Sequence, residues 1–99
     1  MVIIMELTID LAIDVLEKKI KNRFDGIVKI QISDEGSIMI DKLGIRESDE
    51  PAECTMTATA KTFKALIMGK TKVQKAVMSK KLEVTGDIQV AIQLGKLLS

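Results

Sequence analysis

The feature that most constrains this chain is a set of short segments in which apolar and polar residues alternate. Val28, Ile30 and Ile32 are interleaved with Lys29, Gln31 and Ser33, and Ile38 and Ile40 with Ser37, Met39 and Asp41. Cys54, Met56 and Ala58 are interleaved with Thr55, Thr57 and Thr59, and Leu82-Glu83-Val84-Thr85 repeats the pattern. Successive side chains of a strand point to opposite faces, so each segment has one apolar and one polar face. Such strands build an antiparallel sheet that is wet on one side. Helices must then cover the other side, which predicts a single two-layer α+β domain over residues 1–99.

The punctuation fits that plan. Asp34-Glu35-Gly36 makes a hairpin turn between the first two segments. Gly44 to Glu47 is a short segment expected to pair at an edge, and Ser48 to Glu53 reads as an acidic, Pro-containing loop. Met39 falls on the polar phase of its strand, where exposure is expected.

Helical spacing marks the remaining segments. Leu7, Leu11, Ala12, Val15, Leu16, Ile20 and Phe24 form one stripe, predicting a helix from Thr8 to Phe24 with Thr8 as N-cap. Asp10 suits its positive end, and Lys19, Lys21 and Arg23 its negative end. A second helix is expected from Ala60 to Met68, stopped by Gly69, and a third from Lys72 to Ser79. The last starts at Asp87, a good N-cap, and runs to the C-terminus.

That last helix has an unusual pattern. Ile88, Ala91, Ile92 and Leu98 form one apolar stripe, while Val90, Leu94 and Leu97 form a second, displaced around the axis. A helix on a protein surface needs one apolar stripe. The sheet supplies one partner, and the other is an apolar ligand, a protein partner or a deeper core.

With two Phe, no Tyr and no Trp, the interior is filled by aliphatic side chains and six Met, which makes it deformable. Met39, Met56, Met68 and Met78 would adapt to ligands of different shape. Charge is segregated: Lys61 to Lys81 holds seven lysines and no acid, while the rest of the chain is net acidic. A basic surface of this kind favours anionic membranes, although a solvated face of lysines reads equally simply.

Several classes of function are disfavoured. Histidine is absent, which removes the commonest general base and metal ligand. There is no Gly-rich phosphate loop and no paired metal-ligand spacing, so neither an enzyme nor a bound cofactor is expected. The acid pairs Asp34-Glu35 and Asp49-Glu50 read as solvated turn residues. The lysines lack interleaved aromatics and an Arg fork, so no nucleic acid is expected. Cys54 reads as a small core hydrophobe, with a reactive thiol as the alternative, and a lone cysteine suits a reducing cytoplasm. The apolar start, Met1 to Met5, is soon followed by acids and does not read as a signal peptide. A soluble cytoplasmic protein is expected.

The stretch from Lys72 to Leu97, KVQKAVMSKKLEVTGDIQVAIQLGKL, resembles the C-terminal signature of sterol carrier protein domains, NPxxAFxxGKLxIxGxxxxAxxL. Ala76, Lys81, Leu82, Val84, Gly86, Ala91 and Leu94 fall in register without a gap. Upstream, AECTMT with Phe63, Leu66 and Gly69 resembles the strand-then-helix segment of the same family. The signature Pro, aromatic and Gly are replaced by Val73, Val77 and Lys80. The resemblance implies a five-stranded, mainly antiparallel sheet with helices on one face and an apolar tunnel between the layers. It also implies non-catalytic binding of sterols, fatty acyl chains, acyl-coenzyme A or similar lipids.

On this reading Ile67, Met68, Val77, Met78, Val90, Leu94 and Leu97 are candidate ligand-wall residues, and Lys70 and Lys72 candidate contacts for a head group or membrane. A tunnel poor in aromatics suits a flexible acyl or isoprenoid chain better than a rigid sterol. The alternative is a protein-interaction module, including a homodimer, that docks through the last helix.

Overall fold

The alternating segments are strands, and they join into one five-stranded sheet. The computed structural model describes residues 9–20 and 24–98. Its elements run α1 (Ile9–Lys19), β1 (Val28–Ile32), β2 (Gly36–Asp41), β3 (Gly44–Glu47), β4 (Cys54–Ala58), α2 (Ala60–Ile67), α3 (Val73–Met78), β5 (Leu82–Gly86) and α4 (Ile88–Leu98). The expected cap Thr8, the stripe residue Leu7, Lys21, Arg23 and the apolar start lie outside the described residues.

The strand order is β3-β2-β1-β4-β5. All pairs are antiparallel except the central one, where β1 and β4 run parallel with Val28 beside Cys54 and Ile32 beside Ala58. The fold is therefore α+β with a mixed, mostly antiparallel sheet.

The apolar face carries rows of fitted side chains. Ile38, Ile30, Met56 and Val84 form one row across β2, β1, β4 and β5. The helices lie over this face, α1 above β2 and β3, α3 above β5, and α4 above β4 and β5. Phe63, Leu66 and Ile67 of α2, with Leu16 of α1, close the core between them. Among the described residues no polar or charged residue is buried.

The opposite face is wet, with one exception. Met39 points away from the helices yet is only 1% exposed. Its register neighbours are Lys29 on β1 and Arg46 on β3. Lys29 is held by Asp49 at 2.8 Å, and Arg46 by Asp41 at 3.0 Å and Glu50 at 3.2 Å. Long side chains anchored in this way can cover a neighbouring apolar residue with their aliphatic stems. The expectation of an exposed Met39 is thus corrected. The same pairs give Asp49 and Glu50 specific partners, so they do more than solvate a turn.

Glu53 ties the strand ends together. Its amide donates to the Ile27 carbonyl at 3.0 Å, its carboxylate accepts from the Ile27 amide at 2.8 Å, and its carbonyl accepts from the Asp87 amide at 2.8 Å. A side chain on Gly86, whose φ is +89°, would collide with that same Glu53 carbonyl.

α2 and α3 end alike. After α2, Gly69 donates to Leu66 and Lys70 to Ala65; after α3, Lys80 donates to Val77 and Lys81 to Ala76. Both are Schellman closures, which place the residue after the C-cap in the left-handed region. Gly69 takes that position with φ +73°, but at the end of α3 it is Lys80, with φ +61°. A Cβ in that conformation costs about 1 kcal/mol relative to glycine. The turn keeps its form although the glycine of the resembling pattern is gone.

Candidate functional site

α4 begins where expected, the Asp87 carboxylate accepting the Gln89 amide at 3.0 Å. Its buried residues are Val90, Ala91, Leu94 and Leu98. The core-facing stripe thus draws on both stripes read from the sequence, a correction to that division. What remains apolar flanks it: Ile88 is 50% and Leu97 45% exposed, and Ile92 is half-buried.

Beside this helix the α3–α4 seam opens into a cleft of about 230 Å³, lined by Lys72, Val73, Gln74, Ile92, Gly95 and Lys96. Val73, Ile92 and Gly95 give the cleft an apolar part, and Lys72, Gln74 and Lys96 a polar one. Gly95 brings the two helices close, since a Cβ there would stand 2.7 Å from Val73 Cγ2. At the far end of α4, Lys19 of α1 donates from Nζ to the Leu98 carbonyl at 3.0 Å. That ammonium satisfies a last-turn carbonyl and offsets the negative end of the helix dipole.

The structure divides the residues singled out in the sequence. Ile67, Val90 and Leu94 come together in the buried core, with Val77 packed at its edge. Met68 and Met78 are 52% and 83% exposed, and with Leu97 they face solvent. Lys70 and Lys72 stand in different places. Lys72 is on the α3–α4 cleft, whereas Lys70 belongs to a larger groove of about 580 Å³ between α2 and α3.

That larger groove also gathers Lys61, Lys75, Lys80 and Lys81. The lysine-rich stretch was visible in the sequence, but which lysines share a surface was not, because the turns after α2 and α3 decide it. A third cleft, about 480 Å³, lies by the β2–β3 turn and includes Asp25, Asp41, Glu53 and the 88% exposed Leu43.

Cys54 sits on the sheet's apolar face, 0% exposed. Burial pushes its thiol up from the ordinary value, and the Asp87 carboxylate adds to this, while the Ala91 amide works in the opposite direction. A thiol held protonated is a poor nucleophile, and among the described residues no cluster could hold a metal ion. No helix among them is long and apolar enough to cross a membrane.

No curated protein matches the chain significantly. Solved structures do. The solution structure of sterol carrier protein 2 from Aedes aegypti in complex with palmitate superposes with a TM-score of 0.77 at 20% identity, covering 96% of this chain and 97% of that one. Sterol carrier protein 2 like-3 from the same organism gives 0.72 at 20% identity over 88% and 92%. A stereoselective inverting sec-alkylsulfatase from Pseudomonas gives 0.72 at 18% identity, covering 94% of this chain but 16% of the enzyme. The same fold thus occurs alone and as a small part of a larger enzyme. The model of the SCP-2 sterol transfer family matches residues 10–99. With that match spanning nearly the whole sequence and the sheet and helices laid out as in its solved relatives, the chain belongs to the SCP-2 sterol transfer family.

Proposed function

We propose that this protein binds a single-chain apolar lipid beneath and beside α4, without catalysis, and passes it between cytoplasmic sites. The observation that carries this reading is the distribution of apolar surface on α4. The helix buries four residues in the core yet leaves Ile88 and Leu97 half exposed on either flank. The palmitate carried by the Aedes aegypti protein of the same fold supports the choice of ligand class. In this reading Ile67, Val90 and Leu94 form the inner wall, Val77 its edge, and Met68, Met78 and Leu97 its outer lip.

The energetics suffice. Burying a methylene yields about 0.8 kcal/mol, so a sixteen-carbon chain would gain on the order of 12 kcal/mol before the cost of association. Micromolar affinity then needs no polar recognition, and Lys72 at the cleft rim would merely orient an anionic end. The α3–α4 cleft of about 230 Å³ falls below the roughly 300 Å³ of a typical ligand pocket. In this reading, admitting a chain at this cleft would require α4 to part from α3 along the Gly95–Val73 seam.

Displacement of a fluorescent fatty acid by palmitate tests the reading, together with native mass spectrometry of protein purified without detergent. Saturable displacement, or a co-purifying lipid of defined mass, is expected. No displacement together with a dimer that buries α4 between subunits would replace the carrier by the interaction module.

A further inference from the structure

We propose that the groove between α2 and α3 is a phosphate-binding site, distinct from the space for the apolar chain. Five lysines from separate parts of the chain converge on it: Lys61 near the start of α2, Lys70 just after that helix, Lys75 within α3, and Lys80 and Lys81 just after α3. No acidic residue lines the groove. Among the described residues none of the five ammonium groups forms an ion pair, although Lys29, Lys42 and Arg46 elsewhere all do.

Gathering like charges works against the folded state, and one of them adds backbone strain. Lys80 holds a left-handed conformation that the matching turn after α2 gives to Gly69. A lysine that is unfavourable for the fold in two respects points to a ligand. The lining is a set of donors: five ammonium groups with the hydroxyls of Thr71 and Ser79 among them. That set suits the several oxygens of a phosphate better than a single carboxylate. The concave shape, about 580 Å³, takes a small ligand such as a phosphorylated head group or a free phosphate ester.

The test is titration of isotope-labelled protein with inorganic pyrophosphate at low salt, followed by NMR. Saturable shifts confined to Thr71, Ser79, Lys80, Lys81 and their neighbours are expected. K75Q and K81Q should each weaken binding by about fivefold, corresponding to about 1 kcal/mol per lysine. K80G is the decisive variant: it should weaken pyrophosphate binding while raising the thermal midpoint, because it removes charge and strain together. Non-saturating shifts spread over the surface, or a K80G protein with unchanged affinity, would overturn the proposal.

Co-sedimentation with phosphatidylcholine vesicles, with and without phosphatidic acid, separates the sources. Binding that needs phosphatidic acid and is lost in K75Q/K80G/K81Q assigns a lipid head group; pyrophosphate binding without vesicle binding assigns a soluble phosphate, and both support the site. Palmitate displacement should be unchanged in these variants. Its absence from the wild-type protein would sink the apolar-ligand reading and leave the groove intact.

Discussion

Gly95 of α4 occupies a place that no larger residue fits, because Val73 Cγ2 of α3 would stand 2.7 Å from its Cβ. The two helices therefore meet backbone against side chain. Gly95→Ala gains helix propensity but overpacks the seam, and the second effect wins: a loss of about 1–3 kcal/mol in urea unfolding is expected. Adding Val73→Ala should return part of that loss, since the two changes share one contact. Strict additivity would show that the seam is looser than described.

Leu94 and Leu97 are the same residue type, three positions apart on α4, with opposite surroundings. Leu94 is fully buried and Leu97 is 45% exposed. Leu94→Ala should cost about 2–5 kcal/mol, whereas Leu97→Ala should stay within about 0.5 kcal/mol of the parent. Leu97→Ala should nevertheless weaken palmitate binding several-fold. Unchanged affinity would remove Leu97 from the ligand's path.

Cys54 should be silent toward thiol reagents in the native protein at neutral pH. It is buried, and burial with the nearby Asp87 carboxylate keeps the thiol protonated. Labelling should proceed at the rate at which the fold opens and should accelerate across the urea transition. Rapid labelling without urea would place the thiol near a route to solvent.

The Arg46 guanidinium grips Asp41 through two hydrogen bonds of 3.0 Å and holds its carboxyl below the usual carboxylate range, with the Leu43 and Gly44 amides assisting. A carboxylate with a lowered folded pKa stabilises the fold above its unfolded pKa. That contribution is lost as pH falls through the lower, folded value. Both groups are near solvent, so the effect should be small. Asp41→Asn should flatten the acid limb of the stability curve and leave neutral pH little changed; an unaltered acid limb would show that the pair carries no weight.

How much could be read from the residues differs by level. Alternation located four of the five strands and the covered face, the short β3 was read only as an edge segment, and Asp87 announced the start of α4 through its own side chain. Strand direction was beyond reach, because alternation is the same whether Val28 meets Cys54 in parallel or antiparallel. Met39 was misplaced for a related reason: phase reports the face but not whether Lys29 and Arg46 will be pinned beside it. At the site, apolar stripes located α4's core face only roughly, since Val90, Ala91, Leu94 and Leu98 straddle the two stripes. The basic groove was out of reach because two turns, one closed by Gly69 and one by Lys80, bring Lys70, Lys80 and Lys81 to the same wall.

The hydrogen bond from Lys19 to the Leu98 carbonyl joins residues 79 apart in sequence. Fraying of one helix end therefore releases the other, so slow amide exchange should report α1 and the end of α4 as one cooperative unit. Lys19→Met should quicken exchange in both while the strands keep their protection.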